Sequence, residues 1–143
     1  MVLVDPWSAA YGAAGCSQTW HDGNYAQALI TLAPYRPRAA VLRITSMAAV
    51  QMFDDAAFDF VLLDADHSRQ AVARDCAAWW RTIRPGGWLG GRHYQRPMGG
   101  RDRLWGIRTV KEGVDDFLNQ QNTQGAALVL ELPGTSWRIV KNQ

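Results

Sequence analysis

The segment from Phe58 to Gly91 constrains the fold of this chain more than any other part of it. It begins with FDFVLL, a short apolar run that predicts a strand buried on both faces of a parallel sheet. The polar residues DADH end this run, and apolar residues then recur at helical spacing as far as Ile83. Pro85-Gly86-Gly87 predicts the end of that helix, and Trp88 begins a new strand. The order strand, acidic loop, helix, strand predicts an α/β fold.

The acidic loop places Asp64, Asp66 and His67 directly after a predicted buried strand. In open α/β sheets, ligands bind at the carboxyl ends of the strands. Asp66 and the following Ser68 also have the side chains that cap helices, and for Asp66 we prefer that structural role. Asp64 and His67 are therefore the first candidates for chemistry.

The chain opens with a second strand, Val2-Leu3-Val4, which ends at Asp5-Pro6-Trp7. A carboxylate in this position can accept two hydrogen bonds from ribose hydroxyls, although a strand-ending turn would also explain Asp5. Of the seven tryptophans, Trp7 is the best candidate for an aromatic platform in a binding site, whereas core packing explains most of the others.

Between these two segments the pattern predicts a loop, two helices and a strand. The loop is Tyr11 to Gly23, and we expect His21 in it to face solvent. Asp22 is placed to cap a helix that begins near Asn24. The apolar face of this helix is predicted to consist of Ala26, Leu29, Ile30 and Ala33. A strand over Ala40 to Ile44 and a short helix over Met47 to Phe53, capped by Thr45-Ser46, are predicted to follow.

The end of the chain predicts one more helix and a hairpin. A Gly- and Arg-rich loop over Arg96 to Gly106 precedes the helix. The apolar face of the helix is predicted to consist of Val110, Val114, Phe117 and Leu118. Strands over Ala127 to Leu132 and Ser136 to Val140 flank Pro133-Gly134-Thr135, which predicts an antiparallel pair.

Length and composition exclude several classes of protein. A chain of 143 residues predicts a single domain over residues 1–143. The net charge of +2 gives no electrostatic reason to expect nucleic acid or an anionic membrane as a partner. No apolar run approaches the roughly 20 residues that cross a bilayer. Cys16 and Cys76 lack the spacing of a metal site, so a reduced, cytoplasmic protein is the default expectation.

These motifs resemble the second half of class I S-adenosylmethionine-dependent methyltransferases. The likeness is to members with an Asp-x-Asp-His turn after strand four and a GG-x-x-x-GHDY segment in strand five. The segment VDPW resembles the family's strand two, and GIRTVKEGVDDF resembles the helix after strand five. The resemblance implies a truncated Rossmann-like, three-layer α/β/α fold whose mostly parallel sheet is closed by a C-terminal antiparallel hairpin. It implies S-adenosylmethionine as the cofactor, bound by Asp5, Trp7, Ser46, Met47 and Asp64. Capping by Ser46 and core packing by Met47 are equally good explanations of those two residues.

One motif of the family has no counterpart in the sequence. The family's central first strand and its glycine-rich turn, roughly E-x-G-x-x-x-G, precede strand two, but here Met1 leads directly into VLVDPW. The resemblance therefore covers almost all of this chain, but only about the last two thirds of the family's domain. Either strand two pairs with strand four, or another chain fills the gap. We expect a homodimer or a partner chain that supplies the strand.

The candidate catalytic residues follow from the chemistry of methyl transfer, which needs an aligned and deprotonated acceptor oxygen. The resemblance implies that Asp64 is the acid beside the reaction centre. His67 and His93 are the candidate bases. Where the family reads GHDY, this chain reads Gly91-Arg92-His93-Tyr94. Asp64, His67 and His93 could hold a metal, but His in place of Asp disfavours Mg²⁺, and the charge of Arg92 disfavours a cation of any kind. We expect a site without metal.

The function implied is S-adenosylmethionine-dependent O-methyl transfer to a hydroxyl of a small molecule or sugar. One alternative is a degenerate relative that serves as a binding or assembly module. Another is half of a split enzyme whose partner chain carries the glycine turn. A nucleotide-binding dehydrogenase is a weaker alternative, because no G-x-G-x-x-G follows any predicted strand.

Overall fold

The computed structural model describes residues 1–11, 15–94, 107–123 and 128–142. The chain forms two compact units, residues 1–52 and 53–143. The predicted α/β fold is confirmed, and the larger sheet is mixed because its last strand runs antiparallel to both of its neighbours. That the chain behaves as one domain stays a prediction, and the predicted loop from Arg96 to Gly106 lies outside the described residues. In the described part of the chain, no helix is both long enough and apolar enough to cross a membrane.

The first unit is built around a short parallel strand pair. Its elements are β1 (Val2–Val4), α1 (Gln18–Leu32), a 3₁₀ turn (Ala33–Tyr35), β2 (Ala40–Leu42), α2 (Ser46–Ala49) and a second 3₁₀ turn (Val50–Met52). The two strands pair from Val2 with Ala40 to Val4 with Leu42. The carboxyl ends of both strands therefore lie at the same edge of this sheet.

The second unit contains the larger sheet, with strand order β3-β4-β6-β5. Its elements are β3 (Phe58–Leu63), α3 (Arg69–Trp80), β4 (Ile83–Gly91), α4 (Ile107–Thr123), β5 (Val129–Glu131) and β6 (Trp137–Val140). The predicted closing hairpin is confirmed, since β5 and β6 pair antiparallel. The core side chains, each at most 5% exposed, include Cys76, Trp79, Ile83, Leu89, Val110, Val114, Phe117, Trp137 and Ile139.

Helix α1 begins earlier and buries another face than the sequence predicted. Ser17 is its N-cap and accepts a hydrogen bond from the backbone N–H of Trp20, so the helix starts at Gln18 rather than near Asn24. His21 is 7% exposed and not solvent-facing. The side chains turned inward are His21, Tyr25, Ala28, Leu29 and Leu32, whereas Ala26 and Ile30 are exposed. Leu29 was predicted correctly, whereas Ala26, Ile30 and Ala33 are exposed, because the imidazole of His21 and the phenol ring of Tyr25 take positions on the inner face.

Strand β4 is longer than predicted and includes the Pro85-Gly86-Gly87 segment. Helix α3 ends at Trp80, so Ile83 belongs to the strand and not to the apolar face of the helix. The register with β3 jumps from the Phe58–Ile83 pair to the Phe60–Trp88 pair, which marks a bulge. A bulge accommodates residues that cannot take part in a regular ladder, and proline is one of them because it has no N–H.

Strand β3 is an edge strand with one exposed face, not a strand buried on both faces as predicted. Within the described residues it pairs only with β4. Phe60 is 54% exposed and Leu62 is 56% exposed, while Val61 and Leu63 on the other face are half-buried. Phe60 stacks on the ring of Trp88 at 4.9 Å, which covers only part of its surface. An apolar run predicts that a strand can be buried, but the neighbouring elements decide which of its faces are covered.

Candidate active site

The register of β3 and β4 determines which residues meet at the carboxyl edge of the larger sheet. Leu63 and Gly91, the last residues of the two parallel strands, lie opposite each other. Asp64 directly follows β3, and Arg92 and His93 directly follow β4. Because parallel strands end at the same edge, these side chains are brought together from positions almost thirty residues apart.

Asp64, His67 and His93 form a cluster at this edge, as the sequence indicated they could. One ligand-capable atom from each of them lies within 4.8 Å of the others. The Nε2 atom of His67 is 3.5 Å from Oδ1 of Asp64, and the rings of His67 and His93 are 5.0 Å apart, edge to face. The side chains of Asp64 and His67 are 43% and 32% exposed, so a solute can reach them.

The backbone of the acidic loop is held on both sides of His67. Ser68 is the N-cap of α3, and its hydroxyl accepts a hydrogen bond from the N–H of Ala71. Oδ1 of Asp66 accepts one from the N–H of Ser68 at 2.8 Å, so Asp66 has a structural contact in the loop, but it is not the helix cap that was predicted. The hydroxyl of Thr109, on α4, donates to the carbonyl oxygen of His67. These contacts fix the loop that carries the imidazole.

Arg92 and His93 complete the cluster from the end of β4. Nη1 of Arg92 is 3.7 Å from Oδ2 of Asp64, so the guanidinium approaches the carboxylate oxygen that faces away from the His67 contact. His93 has φ of +66°, a left-handed conformation that is uncommon for residues other than glycine. Such conformations are concentrated at functional sites, where the surrounding structure maintains them.

A shallow pocket beside the cluster contains two buried polar groups that the sequence did not identify as site residues. Besides His67 and Arg92, it is lined by Asp75 of α3 and Trp137 of β6, which are 4% and 2% exposed. Nε1 of Trp137 has no hydrogen-bond partner among the described residues. Periodicity predicts only that these positions are buried, and Trp137 joins the pocket through the β4–β6 pairing, which no local pattern reveals.

The predicted ribose-binding residue, Asp5, is exposed at the end of β1. Its Oδ1 accepts a hydrogen bond from the N–H of Trp7 at 2.6 Å, the geometry of a strand-ending turn. Trp7 is 6% exposed with φ of +41°, and its ring lies 5.0 Å from that of Tyr25. The turn can form with Asp5 still presenting Oδ2 to a ligand, so the binding roles of Asp5 and Trp7 stay predictions.

An arginine that the sequence did not identify as functional stabilises this turn. Nη2 of Arg43, which directly follows β2, donates to the carbonyl oxygen of Trp7 at 3.0 Å and also to the carboxylate of Asp22. Its guanidinium carbon lies 4.8 Å from the centre of the Tyr25 ring. The hydrogen bond from Arg43 lowers the pKa of Asp22 below its usual value. The sequence feature that could have identified Arg43 is its position at the carboxyl end of a strand.

Ser46 and Met47, the remaining predicted cofactor contacts, begin α2 and are both half-buried. Thr45 is the N-cap, since its side chain accepts a hydrogen bond from the N–H of Ala48. Ser46 is therefore not the cap, and the structural explanation offered for it is wrong. The roles of both residues in binding adenine stay predictions.

The chain belongs to a family of methyltransferases. A family model described as a methyltransferase domain matches residues 1–91, which is more than half of the chain. No curated protein is similar enough to this chain to count as a match.

Solved structures show the same fold. A protein from Corynebacterium glutamicum matches 99% of this chain and 60% of its own length, with a TM-score of 0.61 and 17% identity. MycE, a methyltransferase from the mycinamycin biosynthetic pathway solved with Mg and SAH, matches 99% of this chain and 45% of its own (TM-score 0.53, 15% identity). A candidate caffeoyl-CoA O-methyltransferase from Staphylococcus aureus matches 85% of this chain and 57% of its own length (TM-score 0.52, 9% identity).

These likenesses show a Rossmann-like methyltransferase fold, and at such low identity they show the fold alone. The chain spans 60% of the length of the Corynebacterium protein and 45% of the length of MycE.

Proposed function

We propose that this protein transfers the methyl group of S-adenosylmethionine to a hydroxyl of a small molecule or sugar. The observation that carries the proposal is the meeting of Asp64 and His67 at the carboxyl edge of the larger sheet, in a chain whose family is a methyltransferase domain. Ligands bind at this edge in α/β folds. The likeness in fold to MycE and to a candidate O-methyltransferase supports methyl transfer to oxygen.

His67 is the proposed base. A lone pair of the acceptor oxygen attacks the methyl carbon, the electrons of the carbon–sulfur bond pass to sulfur, and the hydroxyl proton moves to the imidazole. Asp64, 3.5 Å away, then faces the positive charge that forms on His67. His93, whose ring is 5.0 Å from that of His67, is the second candidate for this role.

The cofactor-binding roles that the family resemblance implies are part of the proposal. Asp5 would accept hydrogen bonds from the ribose hydroxyls through Oδ2, because its turn with Trp7 uses Oδ1. Ser46 and Met47 would contact the adenine ring, and Asp64 would lie next to the methionine part. The partner in the reaction is a small-molecule methyl acceptor, and a cytoplasmic location stays a prediction.

Calorimetric titration of the purified chain with S-adenosylhomocysteine tests the proposal first. We expect micromolar binding that weakens roughly tenfold or more in Asp5→Asn, because one charge-assisted hydrogen bond contributes about 1.5–3 kcal/mol. Asp54→Asn, an exposed turn residue, is the matched control and should bind like the parent protein. No binding at millimolar ligand would reject a stand-alone enzyme and favour a degenerate module or a split enzyme.

Catalysis is tested separately with a panel of hydroxyl acceptors. In His67→Gln we expect the rate of methyl transfer to fall by about 100-fold or more, the usual contribution of a general base, with little change in cofactor affinity. An unchanged rate in His67→Gln and a large loss in His93→Gln would assign the base to His93 instead.

A further inference from the structure

Two of the three histidines in the chain lie in the cluster with Asp64, which is more than proton transfer requires. A single base removes a single proton, so only one of the two imidazoles acts as the base in the reaction proposed above. Asp64 and His67 lie three residues apart in the acidic loop that follows β3, and His93 comes from the end of β4. The approach of His93 therefore depends on the tertiary fold and not on a local motif.

The distances within the cluster are close to those in a metal site. Ligands bound to one ion at about 2.0–2.2 Å lie roughly 3–3.5 Å from one another. Nε2 of His67 and Oδ1 of Asp64 are already 3.5 Å apart, and the group including His93 fits within 4.8 Å. An ion bound by all three residues would draw these atoms closer together, and the part-exposed site leaves room for water or another ligand.

The donor set does not fit Mg²⁺, the ion present in the structure of MycE. Magnesium prefers six oxygen ligands in a nearly regular octahedron, whereas this cluster offers two imidazoles and one carboxylate. The charge of Arg92 opposes any cation, but its guanidinium approaches Oδ2 of Asp64 at 3.7 Å, so Oδ1, the oxygen near His67, is the ligand atom. Two imidazoles with one carboxylate suit divalent ions such as Zn²⁺ and Co²⁺.

The backbone at His93 supports a role for its imidazole. With φ of +66°, this residue adopts a left-handed conformation that is uncommon outside glycine, although histidine adopts it more often than most residues. The conformation turns the chain at the end of β4 and places the ring of His93 edge-on to that of His67.

We propose that Asp64, His67 and His93 form a site for a borderline divalent transition-metal ion, with Zn²⁺ and Co²⁺ as probes, and that this site discriminates against Mg²⁺. The binding itself is independent of methyl transfer. Its consequence rests on the proposed function. A bound ion occupies Asp64 and His67, so the imidazole of His67 is no longer available to take up the proton, and Zn²⁺ inhibits methyl transfer.

The test is calorimetric titration of the full chain, without cofactor, with each metal alone. We expect Zn²⁺ to bind about 100-fold or more tightly than Mg²⁺, and Co²⁺ to give the visible absorption of a nitrogen-ligated ion. His67→Gln and His93→Ala should each weaken Zn²⁺ binding at least about tenfold. Asp66→Asn, next to the cluster but outside it, is the matched control and should leave Zn²⁺ binding unchanged.

A variant that gains affinity for another metal must be folded, so it separates loss of the site from loss of the fold. His93→Asp makes the site richer in oxygen, so we expect its preference to shift toward Mg²⁺ relative to the parent protein. Absence of Zn²⁺ and Co²⁺ binding at millimolar metal, or Zn²⁺ binding that survives in both His67→Gln and His93→Ala, would overturn the proposal. Failure to bind S-adenosylhomocysteine would count against the proposed function and would leave the metal titrations unaffected.

Discussion

At the scale of single residues, the candidate site depends on Gly91, which has no side chain to keep β4 away from its neighbours. A Cβ atom here would lie 2.6 Å from the carbonyl oxygen of Leu63 and 2.8 Å from the indole of Trp137. Neither neighbour can move easily, because one is backbone and the other is a buried ring. Glycine is therefore needed at the end of β4 to let the strand approach both partners.

We predict that Gly91→Ala lowers the free energy of unfolding by about 1–3 kcal/mol, the usual cost of overpacking. Urea denaturation followed by circular dichroism measures the change. Gly23→Ala is the control, since its new methyl group meets no atom within 4 Å and alanine favours a helix. Equal stability of Gly91→Ala and the parent protein would show that the sheet can separate here.

Tyr94 makes stability depend on pH in the alkaline range. Burial, and then the hydrogen bond from its hydroxyl to Oδ1 of Asp115 at 2.7 Å, raises the pKa of the phenol above its usual 10.0. The folded state therefore holds this proton more tightly than the unfolded state. The resulting stabilisation is fully present below the unfolded pKa and is lost as pH rises through the folded pKa.

We expect the parent protein to lose more stability than Tyr94→Phe between about pH 9 and pH 11. Urea denaturation across this range measures the difference. Tyr35→Phe, at an exposed tyrosine, should follow the parent curve. Parallel curves for the parent and Tyr94→Phe would contradict the assignment.

At the scale of secondary structure, the N-cap of α3 links helix stability to the site. Ser68 satisfies the N–H of Ala71, and the residue before it is His67. We predict that Ser68→Ala lowers the free energy of unfolding by about 1 kcal/mol, whereas Ser68→Asn, another good cap, stays within a few tenths of the parent value. If both variants unfold like the parent, the cap contributes nothing and the loop is held by other contacts such as that of Thr109.

At the scale of the whole molecule, β3 presents an open edge and an apolar face. Within the described residues it has β4 as its only partner, and Phe60 and Leu62 are each more than half exposed. Unpaired strand edges and exposed apolar patches promote association. A homodimer, or a complex with a chain that supplies a strand, is therefore the expected assembly.

We predict that the protein self-associates at micromolar concentration and that Leu62→Lys shifts it toward monomer, because a charge on the exposed face opposes pairing. Sedimentation velocity measures the distribution. Ile30→Lys, at an exposed residue of α1, is the control and should associate like the parent. A monomeric parent protein, or an equal effect of both substitutions, would argue against association through β3.

The sequence alone determined most elements of the fold. The strands at Val2 and Phe58, the amphipathic helix α4 and the final hairpin all lie where the pattern placed them, because each is encoded by neighbouring residues. It also identified Asp64, His67 and His93 together, since polar residues after two strands of a parallel sheet must share an edge.

The tertiary structure decided what depends on residues distant in sequence. Burial of His21 and exposure of Phe60 are set by the elements that pack against each residue, which no local periodicity contains. The bulge at Pro85-Gly86-Gly87 and the pairing of Leu63 with Gly91 set how far β4 extends and where Arg92 and His93 meet Asp64. A sequence can predict that such side chains lie at the same edge, but only the strand register fixes the distances on which their chemistry depends.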